Sequence, residues 1–206
     1  MATRNALVQN SPSVGRPREF DMDEALDGFV RVFRERGYHA TSIGNLSAET
    51  GLTAGSLYKA FDDKHAIFVA ALDHYIVRRA ADLDVLLTKQ SCGRDKVRAV
   101  LRFYADVSHG KEGRSGCLVV SSALLLGTLD DDVAGIVSRA MQRLESLLRV
   151  LLKQGQADRS VAGGLNVETI ARCLFAMLQG LRVVGKLGQG RADMMAGVDE
   201  AMRLLE

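Results

Sequence analysis

The stretch Thr41 to Lys64, TSIGNLSAETGLTAGSLYKAFDDK, carries side chains suited to holding phosphate and base edges. Thr53, Ser56, Tyr58 and Lys59 place hydroxyls and an ammonium within about two helical turns. Ala54, Gly55 and Ser56 are small, so the start of that helix can approach another surface closely. Free N–H groups and the helix dipole favour a phosphate there. Ser42 and Thr53 are of the types that cap helices, and Gly51 supplies a turn position between them. Two short helices joined at a tight turn, the second offering hydroxyls, Tyr and Lys, form a helix-turn-helix that reads a DNA major groove. The candidate DNA-binding residues are Ser42, Thr53, Ala54, Gly55, Ser56, Tyr58, Lys59 and Lys64, with Arg16 and Arg18 on a preceding arm. Tyr58 could instead be a core residue, although Leu57 and Phe61 already supply an inward face. Lys59 and Lys64 could be ordinary surface lysines.

The other reactive residues are sparse. Cys92, Cys117 and Cys173 have neither disulfide-framework nor metal-ligand spacing. Cys117 opens an apolar run and reads as a small buried hydrophobe. The alternative is an oxidant or electrophile sensor, its thiol made acidic by Lys111 and Arg114 nearby and by a helix N-terminus. His74, His109, Tyr104 and Asp106 lack tight metal-site spacing, so no metal and no cofactor are expected. No nucleophile elbow, paired motif carboxylates or phosphate-binding Gly loop argues for an enzyme, so no catalytic residue is assigned.

The elements that hold these groups read as helices. Asp21 with Glu24 makes a capping box, and Leu26, Phe29, Val30 and Phe33 recur at helical spacing up to Gly37. Asp62 and Asp63 open a helix from Lys64 to about Leu87, which would span about 36 Å and cross from a small head into a second domain. Asp95 to His109 follows, then a loop at Gly110 to Gly116. Cys117 to Leu126 is nearly all apolar; a buried strand is possible in principle, but with no partner strand a buried helix is expected. Asp130 to Lys153, Asn166 to Val184 and Arg191 to Leu205 complete the set. Residues 1 to 18 are polar and read as a flexible basic arm, 19–65 as a helix-turn-helix domain, and 66–206 as a larger helical domain.

With 206 residues, 47% of them apolar and only two prolines, both before residue 18, the chain suits an all-α body with a real core. The net charge of +2 argues only weakly for nucleic acid. Residues 1 to 64 hold eight Lys/Arg against nine Asp/Glu, a net of −1, so any affinity must come from placement and from doubling in a dimer. The polar first residues lack an apolar leader, no apolar run reaches about 18 residues, and little cysteine suits a reducing cytoplasm.

The segments GRPREFDMDEAL and FRERGYHATSIGNLSAETGLTAGSLYKAFDDKHAIF resemble the TetR/AcrR family of transcriptional regulators. The likeness spans about Gly15 to Leu72; the later helices match only in number and layout. It implies a homodimer on a near-palindromic double-stranded operator, usually a repressor that an effector releases, although an activator or an effector-independent binder remains open. It implies that Ala54, Gly55 and Ser56 face the groove and that Tyr58 and Lys64 touch phosphate. Asn45 stands where many members carry an acid, which implies a weaker cap. GCLVVSSALLL resembles a stretch that lines effector pockets in one branch of the family. By that analogy Tyr75, Leu101, Tyr104, His109, Cys117, Val120, Leu144 and Phe175 would line a pocket for a partly apolar small molecule. The apolar arcs of the last two helices could be plain core. Exchanged with a second subunit they would instead form a four-helix interface through Ile170, Leu174, Leu178, Leu181, Val198 and Met202.

Overall fold

Short polar side chains start most of the helices by bonding their first turns. In the computed structural model, which describes residues 20–125 and 130–206, Asp21 Oδ1 accepts from the backbone N–H of Asp23 and Glu24 at 2.9 and 3.2 Å. Asp63 accepts from Ala66 at 2.8 Å, Asp130 from Val133 at 3.0 Å and Asn166 from Thr169 at 3.0 Å. Each such cap stabilises its helix by about 1 kcal/mol.

Among the described residues the chain forms ten α-helices. The head comprises α1 (Met22–Ala40), α2 (Ile43–Thr50) and α3 (Ala54–Ala60), and α4 (Lys64–Leu87) leads away from it. The body adds α5 (Gly93–Asp106), α6 (Gly110–Ser115), α7 (Leu118–Ala123), α8 (Asp131–Ala157), α9 (Val167–Lys186) and α10 (Arg191–Met202), closed by a 3-10 turn at Arg203–Leu205. Gly37, at φ 75°, breaks the helical backbone of α1 at the expected place. The apolar run after Cys117 is a helix, not a strand; its expected end, Leu126, lies outside the described residues, as do Arg16, Arg18 and the arm.

One expectation is corrected. The glycine-rich segment Gly110 to Gly116 is not a loop but carries α6. A Cβ on Gly113 would stand 2.0 Å from the Ser108 carbonyl oxygen, and one on Gly185 of α9 would stand 1.9 Å from the same oxygen. These glycines are there for close approach, which a composition reading mistakes for flexibility.

Two apolar cores result. Phe29, Phe33, Leu46, Leu57, Ile67 and Phe68 fill the first, with Phe33 and Phe68 edge-to-face at 4.9 Å. That core continues past residue 65 through Leu72 and Tyr75 to Cys117, Leu118, Val133 and Val137. The second holds Val97, Val100, Leu101, Leu148, Leu152, Leu174, Leu178, Met194 and Val198. Helix α4 contributes Tyr75 to one and Leu83 to the other, so a single rod ties them together. Polar ties between α1 and α4 reinforce this: Asp27 meets His74 at 2.9 Å and also pairs with Arg78.

Candidate nucleic-acid interface and ligand cavity

Helix α3 buries only Leu57. Thr53, Ala54, Gly55, Tyr58, Lys59 and Ala60 are exposed, Tyr58 at 56%. Tyr58 is therefore not a core residue. Thr53 Oγ1 accepts from the Ser56 backbone N–H at 3.1 Å and lies 3.0 Å from the Ser56 hydroxyl, so the two fix the start of the helix. Gly51, at φ 70°, turns the chain out of α2. Asn45 completes a capping box despite lacking an acid: its Oδ1 accepts the Ser42 N–H at 2.9 Å, and Ser42 Oγ accepts the Asn45 N–H at 3.2 Å. The box keeps its geometry and forgoes only the negative charge.

Lys64 is drawn inward. Its ammonium donates to the carbonyls of Tyr38 and Thr41, both at 3.0 Å, and sits 4.4 Å from the Tyr38 ring centroid. Two of its three donors anchor the end of α1, so only the third is left for a phosphate. Lys59 is the freer of the two lysines.

A cavity of about 170 Å³ opens between α4, α5, α7, α8 and α9. Ile76, Leu83, Val119, Met141, Leu144 and Leu147 form apolar walls, and Tyr75, Arg79, Tyr104, Cys117 and Arg182 form a polar end. Of the candidate residues, Tyr75, Tyr104, Cys117 and Leu144 lie on this lining. The other four lie elsewhere. Leu101 is fully buried in the body core, Phe175 packs against that core, Val120 packs against the head's core, and His109 precedes α6.

The polar end is a chain of contacts. Arg182 Nη2 donates to Tyr75 Oη at 2.5 Å and Nη1 donates to the Val107 carbonyl at 3.1 Å. The Tyr75 hydroxyl donates to Cys117 Sγ at 3.6 Å. Burial pushes the Cys117 thiol up, but the Arg182 charge, the Val120 backbone N–H and Tyr75 outweigh it, and the thiol is more acidic than usual. Burial raises the Tyr104 phenol to about 12, against the pull of Arg182. The sequence reading credited Lys111 and Arg114 for an acidic thiol; the cation that acts is Arg182, far away in the chain. Its signal was legible: Arg182 falls on the buried stripe of Ala171, Leu174 and Leu178.

A clasp joins this end to the head. Arg34 of α1 donates through Nε and Nη2 to the Gly116 carbonyl at 2.8 and 2.6 Å, and through Nη2 to the Glu112 carbonyl at 2.9 Å. The Glu112 carboxylate meets Arg34 Nη1 at 3.1 Å and also pairs with Arg79. Burial raises the Glu112 carboxyl, yet Arg34 and Arg79 together hold it below its ordinary 4.5.

The expected dimer residues need correction. Leu174, Leu178, Leu181, Val198 and Met202 are buried in the chain's own core, and α10 packs on α5. They face inward because α5, α8 and α10 already cover them; Ile170 is half-buried. The outward face of α9 is instead Thr169, Cys173, Ala176, Gly180, Val183 and Leu187, all exposed and spaced alternately by four and three. That is the spacing of a helix-pairing seam, with small residues at its middle.

Among the described residues no helix is long and apolar enough to cross a membrane, and no group of three or more His, Cys, Asp or Glu is placed to hold a metal.

Residues 25–71 match the model of bacterial regulatory proteins of the tetR family, and residues 93–199 that of the tetracyclin repressor-like C-terminal domain. The chain is 31% identical over 196 residues to the HTH-type transcriptional repressor ComR of Escherichia coli K12, covering 93% of this chain and 92% of that one. It is 24% identical over 164 residues to the repressor DhaR of a Mycobacterium species, covering 79% and 80%. A cysteine mutant of the TetR-family regulator CifR, solved with a 26-base-pair operator DNA, superposes with a TM-score of 0.81 at 31% identity, covering 93% of this chain and all of that one.

Proposed function

Since this chain belongs to the TetR family of bacterial regulatory proteins, we propose that it is a dimeric repressor whose hold on a palindromic operator is released by a small molecule in the α4–α9 cavity. It is a DNA-binding regulator and not an enzyme. The observation that carries the reading is the course of α4. Lys64 at its start braces the end of α1 beside the reading helix, and Tyr75, Ile76, Arg79, Ala80, Leu83 and Asp84 farther along line the cavity.

In this reading α3 enters the major groove, with Ala54, Gly55 and Ser56 nearest the bases and Tyr58 and Lys59 on phosphates. A second copy pairs along the α9 seam from Thr169 to Leu187; α8, which packs on α9, adds an exposed Val150. The dimer holds two α3 helices about 34–36 Å apart, one turn of DNA. An effector that prefers a different head spacing shifts the population away from the form that engages both half-sites. The test is a gel shift on DNA flanking the protein's own gene, at low salt and with candidate effectors. A dimer that binds and is released supports the reading. A protein that stays monomeric and ignores every duplex from its locus refutes it.

A second reading rests on Cys117. The Arg182 and Tyr75 contacts make its thiol acidic, which suits reaction with an electrophile. Alkylation of Cys117 followed against pH decides it: appreciable reaction at pH 7 supports a sensor, and an inert thiol up to pH 9 removes it.

A further inference from the structure

Arg182 is only 4% exposed and has no carboxylate within ion-pair distance among the described residues. Its hydrogen bonds go to a phenol and a carbonyl, and its Nε has no partner. No carboxylate among the described residues neutralises it. Arg34 and Arg79 lie over the Tyr75 ring at 5.6 and 5.3 Å, and both already share the single carboxylate of Glu112. Three guanidiniums around one phenol against one carboxylate leave an excess of two positive charges while the Cys117 thiol keeps its proton. A buried cation without a counter-charge is costly, and the cost is relieved when an anion arrives. The Cys117 thiol is one candidate for that anion, and it lies on the same lining.

The rest of the lining is mostly apolar. Ile76, Leu83, Val119, Met141, Leu144 and Leu147, from α4, α7 and α8, supply apolar surface, with Asp84, Arg143 and Gln179 also on the lining. The volume, about 170 Å³, lies below the roughly 300–1,000 Å³ of drug-sized pockets. That size suits a short or medium aliphatic chain better than a long or fused-ring molecule.

We propose that the effector is a small amphipathic carboxylic acid, its carboxylate on Arg182 and its hydrocarbon along the α4–α8 wall. This rests on the cavity being the effector site. Arg182 gives the acid a planar, two-pronged donor, and Tyr75 and Tyr104 add hydroxyls beside it. An amine of the same length meets like charge at the polar end, and an alcohol leaves the cation unrelieved.

The test uses octanoate, octanol and octylamine on the purified full-length protein, with binding read by calorimetry and operator affinity read in parallel. Octanoate should bind about tenfold to a hundredfold tighter than octanol, with octylamine weakest, as a charge-assisted hydrogen bond implies. R182Q should erase that preference and leave the three probes alike, while R182K should keep part of it. C117A, which removes the rival anion, should bind octanoate at least as tightly as the parent. If R182Q does not fold, the parent protein's ranking decides alone. Octanol or octylamine binding as well as octanoate, or no binding by straight-chain acids of any length from hexanoate to dodecanoate, overturns the proposal. If operator binding persists in that event, the regulator reading survives. If octanoate binds Arg182 yet leaves operator affinity unchanged, the ligand assignment stands and the cavity's control of DNA falls.

Discussion

The head and the body of this protein solve opposite problems. The head buries Phe29, Phe33, Leu46 and Leu57 and projects Tyr58 and Lys59; its one buried cation among the described residues, Arg34 at 9% exposure, is paired with the Glu112 carboxylate. The body buries a cation with no carboxylate beside it among the described residues. Arg182 lies at 4% exposure beside Tyr75, Tyr104 and Cys117, and helices approach until only glycine fits between them. A surface that meets DNA needs exposed donors on a rigid mount, and short-range caps supply the mount. A cavity that senses a small molecule needs a buried group whose energy the guest can change, and only contacts between distant segments can build one.

Substitutions sharpen that contrast. The largest effect falls on the body's helix crossing. G185A sets a Cβ 1.9 Å from the Ser108 carbonyl oxygen, a backbone atom that cannot swing away, and should destabilise the protein by about 3 kcal/mol or more in urea unfolding. The head's Gly51 has open space around it and only a left-handed backbone to satisfy, so G51A should cost about 1–2 kcal/mol. Equal losses at the two sites would break the comparison.

Next comes the reading helix. Y58F should weaken all duplexes about equally, by about tenfold, because a hydroxyl on phosphate carries no sequence information. K59A should lower the slope of log K against log salt by about one. A loss confined to the operator would move either residue from phosphate to base contact.

The clasp between the regions gives a pH signature. The folded pKa of Glu112 is depressed by Arg34 and Arg79. Its contribution is complete above the ordinary 4.5 and is lost as the pH falls through the lower folded value. Melting temperature should drop below about pH 4.5 in the parent. E112Q should drop less steeply, and at neutral pH should be about 1–2 kcal/mol less stable, since the carboxylate is partly solvated. The smallest effect is S42A, about 0.5–1 kcal/mol, because Asn45 still caps the Ser42 N–H.

How much the sequence foretold follows the same division. Ser42, Thr53, Asp63, Asp130 and Asn166 announce their helices through residues only a few positions away, and each boundary stands within a residue or two. Helix α6 was hidden because Gly113 serves a close approach to the Ser108 carbonyl and to α9 at Gly185, which composition does not reveal. Most of the residues expected at a dimer interface lie in the chain's own core for a similar reason. The apolar arc of α9 is visible in the sequence, but which half meets α5 and α8 is decided by the packing of those helices. Arg34 and Arg182 both sit on buried stripes, four residues after Val30 and Leu178. A cation on such a stripe is the local sign of a buried charge, and it is the sign that a search for Cys and His spacing passes over.

The Arg34 fork has a final consequence. Two of its nitrogens close on one oxygen, that of Gly116, and the next residue along is Cys117 at the cavity's polar end. A displacement of Cys117 is therefore passed through one peptide bond to the oxygen that α1 holds. A guest that shifts Cys117 would thus tug on the first helix as well as on α4, giving the head two lines of communication with the cavity instead of one.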